Sequence, residues 1–167
     1  MKNVVLIGMP GSGKSTVGVL LAKVLGYEFL DSDLLIQKRE GRLLSQVIQQ
    51  EGIEGFIRIE EEVNAGIRKT DTVIATGGSA VYGARAMAHL RETGTIVYLK
   101  LPLEELQRRL GNLKCRGVVL KEGQTLQELY EQRAPLYERY ADVEVDETGL
   151  DVEQTLERLV KALGRRP

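Results

Sequence analysis

Val4, Val5, Leu6 and Ile7 form an unbroken apolar run that stops at Gly8-Met-Pro-Gly-Ser-Gly13. Beyond the glycines, Val17, Leu20, Leu21, Val24 and Leu25 recur at helical spacing, and Gly26 follows as a helix C-cap. A short strand, apolar on both faces and followed at once by a helix, predicts a parallel sheet. The rhythm returns at 72–75 and 95–99, each an apolar run before a turn and a helical stretch, with weaker strand patterns at 28–30 and 143–145. Helical spacing predicts further helices over 32–40, 43–50, 54–68, 84–91, 103–110, 125–140 and 152–163. Pro135 falls inside one of these and is expected to kink or interrupt it.

Five strands alternating with helices predict a three-layer α/β/α sandwich with a five-stranded parallel sheet, in one domain over residues 1–167. Two stretches read as mobile inserts rather than core. One is the polar helical region from Asp31 to Glu62; the other is the glycine-bounded loop 111–123, long enough for an active-site lid.

Composition narrows the class. The chain has 167 residues, 43% of them hydrophobic and 28% charged, which suits a folded core and disfavours disorder. The net charge of -1 offers no basic excess for nucleic acid. No apolar run approaches the ~20 residues of a membrane span, and the N-terminus lacks a signal segment. A cytoplasmic protein without nucleic-acid or membrane partners, and a monomer, is expected. The single cysteine, Cys115, excludes an internal disulfide, and no cysteine–histidine cluster suggests zinc. His89 stands alone on a helix and reads as structural.

Gly8-Met-Pro-Gly11-Ser12-Gly13-Lys14-Ser15 matches GxxxxGK[ST] at every fixed position, with the strand before it and the helix after it that the motif requires. Glycines let backbone wrap a phosphate, and a helix N-terminus turns unpaired N–H groups and its dipole toward the anion. Lys14 can reach the β and γ oxygens, and the Ser15 hydroxyl can ligate Mg²⁺; Thr16 continues the same turn. The chain therefore binds a nucleoside triphosphate, and Lys14 is expected to point into the phosphate site. Water, a nucleotide or a small metabolite could accept the phosphoryl group. No NKxD pattern of guanine recognition is present, and a small kinase of the P-loop type is the natural reading.

Three further motifs carry a resemblance. Phe29-Leu-Asp31-Ser-Asp33, Ala75-Thr-Gly77-Gly78-Ser79 and Arg133-Ala-Pro135-Leu-Tyr137, the last followed by Ala141-Asp142, stand in order behind the phosphate loop. Together they resemble the D-x-D, glycine-triplet and R-x-P-x-Y motifs of the shikimate kinase family, over about residues 3 to 148. The resemblance implies ATP and Mg²⁺ as cofactors and a small hydroxy acid or polyol as acceptor, with the 3-hydroxyl of shikimate the first expectation. It implies Asp31 near the metal, Asp33 against the attacked hydroxyl, and Gly77, Gly78, Ser79 and Arg133 around the acceptor. It also implies Arg116 as a lid arginine on the phosphates, Arg109 stacked on adenine, and 145–148 as the base-binding loop. One of the two aspartates also reads as the N-cap of the helix beginning near Leu34.

Some positions depart from the family. The helix of the acceptor site reads Phe56-Ile57-Arg58, where an arginine is expected directly after the phenylalanine. Arg58 is therefore the substitute candidate for gripping the acceptor. Ser79 stands for a third glycine, Gly117 for a proline, and Gln37 for a glutamate. A kinase of the same fold with another acceptor, and a nucleotide-binding module without catalysis, remain the alternatives.

Overall fold

The computed structural model describes residues 2–110 and 121–165. Five parallel strands stand in the order β2-β3-β1-β4-β5. They are β1 (Asn3–Ile7), β2 (Glu28–Asp31), β3 (Thr72–Ala75), β4 (Gly94–Lys100) and β5 (Val143–Asp146). β1 is central, with Val5 opposite Ile74 of β3 on one side and Ile96 of β4 on the other. Every residue of β1 is buried, as its unbroken apolar run requires.

Alternate residues of each strand feed two separate cores, one on each face of the sheet. Val5, Ile7, Ile74, Ile96 and Tyr98 pack with Met87 and Leu90 of α4 (Ala84–Thr93) and with Leu129 and Tyr137 of α6 (Leu126–Tyr140). Val4, Leu6, Val73, Val97 and Leu99 pack with Val17 and Leu21 of α1 (Lys14–Leu25) and with Leu159 and Val160 of α7 (Val152–Ala162). Burying each such side chain contributes about 1.5–3 kcal/mol, so the sheet is held from both sides. No described helix is long and apolar enough to cross a membrane.

The remaining helices are α2 (Ser32–Glu40), α3 (Leu44–Ala65) and α5 (Leu103–Arg109), and one 3-10 turn spans Ala80–Tyr82. Two expectations change here. The region from Asp31 to Glu62 has a core of its own, in which Ile36 of α2 packs with Leu44, Val47 and Phe56 of α3. It is a packed subdomain wall, because its polar surface hides one apolar face per helix. α6 also runs unbroken through Pro135. The ring removes the donor to the Glu131 carbonyl, but both residues lie on the exposed face, where water can satisfy it. α3 bends instead at Gly52, whose φ of 74 and ψ of 173 separate its two helical halves, matching the two helices expected from spacing.

Candidate active site

The chain winds to one side of β1 with β2 and β3, then to the other with β4 and β5. A crevice opens at the carboxyl ends of the strands where the winding changes side, and the phosphate loop leaves β1 there. Gly13 caps α1 in the left-handed region, at φ 81, and no side chain caps that helix. The first-turn N–H groups are thus left for an anion.

Lys14 does not project into open space. It is 8% exposed, and Nζ donates to the carbonyls of Gly8 (2.7 Å) and Met9 (2.8 Å), with Ser12 Oγ at 3.4 Å. The buried ammonium takes the loop's own oxygens as partners, because burial without them would be costly. Burial pushes Lys14 down to about 8, partly opposed by the charge of Asp33.

Asp31 divides its carboxylate. Oδ1 caps α2, accepting from the backbone N of Asp33 (2.9 Å) and Leu34 (3.4 Å). Oδ2 accepts from the Ser15 hydroxyl at 2.8 Å. One residue is both cap and site group, so the cap and the metal-side role fall on Asp31 together. Asp33 is the second residue of α2, and the turn of the helix, not strand alternation, swings it to the other side. Burial, then the charge of Asp31, pushes Asp33 up to about 6 against the pull of Lys14.

The exit of β3 supplies the opposite wall. A side chain at Gly77 would come within 2.7 Å of Asp33 Oδ1 and 2.8 Å of Glu60 Oε2, and one at Gly78 within 2.8 Å of Arg133 Nη1. Only glycine lets these groups close on the backbone. The Tyr137 hydroxyl fixes the pair by donating to the Gly78 carbonyl at 2.6 Å. Arg133, 1% exposed and one turn earlier on α6, lies 5.5 Å over the Tyr82 ring and donates from Nε to the Tyr82 hydroxyl at 3.4 Å.

These groups line one cleft of about 280 Å³, with Gly11, Gly13, Lys14, Ser15 and Thr16 on the loop side and Asp33, Gly77, Gly78, Ser79 and Arg133 facing them. Gly8 and Ser12 lie buried beneath the loop. Arg109 sits at its rim, donating to the Gly11 carbonyl at 3.2 Å. Arg58 is not brought to the cleft: it is exposed on α3, where it acts on the charge of Glu62. Ile57 is also outside, lining an adjacent cavity of about 210 Å³ with Ile53, Tyr82, Leu129 and Arg133. Arg116, Cys115 and most of the expected lid lie outside the described residues. His89 has the structural role expected, with Nε2 2.7 Å from the Ile67 carbonyl.

Two groups escaped the motif reading. Glu60 is 2% exposed in the cleft wall; Oε1 accepts from the Ser79 hydroxyl at 2.7 Å. Burial pushes it up to about 8, although the Ser79 bond opposes this. Its position one turn after Phe56, on the same helical face, was the available signal. Glu147, buried after β5, is pushed up to about 7 by burial against the charges of Arg109 and Lys14.

Known proteins share this arrangement. The shikimate kinase family model matches residues 10–164. A shikimate kinase of Nitrosomonas europaea is 41% identical, across 96% of this chain and 78% of its own length. One from Chlorobium chlorochromatii is 36% identical, across 96% and 90%. Among solved structures, the shikimate kinase of Acinetobacter baumannii in complex with shikimate superposes with a TM-score of 0.86 at 33% identity, covering 98% of this chain and 94% of that one. The Aquifex aeolicus shikimate kinase gives 0.82 at 31%, covering 97% and 96%. A gluconokinase of Sinorhizobium meliloti, 17% identical with a TM-score of 0.56, shares the fold alone. With phosphate loop, split aspartates and buried arginine around one crevice, and near-full-length relatives of one kind, this chain belongs to the shikimate kinase family of ATP-dependent phosphotransferases.

Proposed function

We propose that the chain transfers the γ-phosphoryl group of ATP to the 3-hydroxyl of shikimate. The observation that carries this reading is the single cleft in which Lys14, Asp33 and Arg133 face one another. Arg133 suits a carboxylate, since its planar guanidinium offers paired donors and is held in place over Tyr82. Asp33, raised only to about 6, is largely ionised at neutral pH and can orient or deprotonate a hydroxyl. Lys14 exchanges two neutral carbonyls for charged phosphate oxygens, a stronger partner. Ser15 and Asp31 offer the all-oxygen donor set that suits Mg²⁺. That ion supplies counter-charge to the phosphate oxygens as negative charge develops on them. Arg109 and, by resemblance, Arg116 complete the nucleotide side.

Every cleft residue described comes from one chain, which supports a monomer, and the near-zero net charge supports a function without nucleic acid. Dependence on ATP supports action in the cytoplasm. A second reading, a different hydroxy-acid or polyol acceptor, is favoured by Ile57, which puts an apolar wall beside Arg133.

ADP release measured with shikimate and a panel of sugar acids and hydroxy acids tests the choice. Shikimate should give the highest kcat/KM, and Asp33→Asn should lower kcat by about 10²-fold or more with ATP binding little changed. Turnover of another hydroxy acid, with shikimate no better than no acceptor, would sink the shikimate reading.

A further inference from the structure

Glu60 is buried in the cleft wall, yet only one of its oxygens is used. Ser79 holds Oε1 at 2.7 Å, while Oε2 has no hydrogen-bond partner among the described residues. Buried polar atoms are rarely left unmet unless a ligand meets them. Oε2 and Asp33 Oδ1 converge on the same bare backbone, lying 2.8 Å and 2.7 Å from the point where a Gly77 side chain would begin. Two carboxyl groups from different helices thus face one small region beside the hydroxyl that Asp33 would hold.

We propose that Glu60 determines acceptor specificity by meeting, through Oε2, a second hydroxyl of the acceptor adjacent to the one phosphorylated. The chain then selects vicinal diols carrying a carboxylate for Arg133. This rests on the shikimate reading, in which the second group is the 4-hydroxyl. Burial raises Glu60 to about 8; Ser79 opposes this, the charge of Asp33 adds to it, and Arg133 opposes it. A hydroxyl both donates and accepts, so it satisfies Oε2 in either protonation state, whereas an ammonium satisfies only the ionised form. The group read is therefore a hydroxyl. Ser79 fixes which oxygen is offered, giving the serine at the third glycine position a use.

The test compares kcat/KM for shikimate and 4-deoxyshikimate in the wild type, Glu60→Leu and Glu60→Gln. A site built to bond a hydroxyl rejects the analogue lacking it, so the wild type should prefer shikimate by about 10²-fold or more. Glu60→Leu should bring the two substrates to near parity, and Glu60→Gln, whose amide can still meet a hydroxyl, should keep part of the preference. An unchanged ratio in Glu60→Leu overturns the inference while leaving the acceptor assignment standing. No shikimate turnover by the wild type overturns both. Should Glu60→Leu fail to fold, Ser79→Ala carries the test: it leaves the carboxyl in place but releases Oε1. The preference should then fall several-fold, and an unchanged ratio overturns the inference.

Discussion

Arg133 is an arginine that a lysine could not replace. Its guanidinium is buried, lies over the Tyr82 ring and borders both the cleft and the apolar cavity of Ile57. A lysine keeps the charge but loses the fork and the stacking. A charge-assisted hydrogen bond contributes about 1.5–3 kcal/mol. Arg133→Lys should therefore raise the KM for shikimate by about 10- to 100-fold, with the KM for ATP nearly unchanged. Equal losses for both substrates in steady-state kinetics would remove Arg133 from the acceptor side. Motifs made this residue visible, as they did Lys14 and Asp33, because their spacing is tied to a local turn. Glu60 was hidden because its partner, Ser79, is nineteen positions away, and nothing local marks a glutamate as buried. The inward curl of Lys14 was hidden too, since spacing fixes where a side chain starts and not which oxygens it finds.

Among the elements, α3 shows how a break can be built into a helix. The bend at Gly52 sets the direction of the half that carries Phe56 and Glu60 to the cleft. Its backbone lies in a region that essentially only glycine occupies, and no atom lies near enough to obstruct a methyl group. Gly52→Ala thus isolates the backbone effect, at about 1–3 kcal/mol. Thermal unfolding should show a loss of several degrees for a chain of this size. An unchanged melting temperature would mean the bend relaxes without strain. Sequence spacing revealed both halves of α3 and nearly all other elements, since their apolar periods are strong. It misjudged Pro135, because a proline on a solvated helical face costs less than one inside, and facing is a tertiary property.

At the scale of the molecule, the cleft draws on α1, α2, α3, the exit of β3 and α6, and it concentrates charge where water is scarce. Glu60 moves from an ordinary 4.5 to about 8, and Asp33 from 3.8 to about 6. Between those values the folded chain holds protons that the unfolded chain has released, so stability falls as pH rises. Lys14 acts oppositely, from 10.5 down to about 8, and returns stability as pH climbs between those values. Calorimetry should find the melting temperature falling from about pH 5 to about pH 8 and levelling or recovering above. Glu60→Gln should flatten the first limb; a wild type already flat there would mean that Glu60 stays ionised in the fold. None of this electrostatic cost could be read from a chain whose formal charges nearly cancel.

Asp31 ties the nucleotide half of the crevice to the acceptor half, holding the Ser15 hydroxyl with one oxygen and the N-terminus of α2 with the other. Any ligand that draws on Ser15 alters the clamp on the helix that carries Asp33. The two substrates are then heterotropic effectors of each other, and a closed thermodynamic cycle demands equal factors in both directions. Titration calorimetry should show a nucleotide analogue tightening shikimate binding by the same ratio that shikimate tightens the nucleotide. A ratio of one in the wild type would mean that the halves act independently. Asp31→Asn keeps a capping oxygen but gives up the charge, and it should bring both ratios toward unity together.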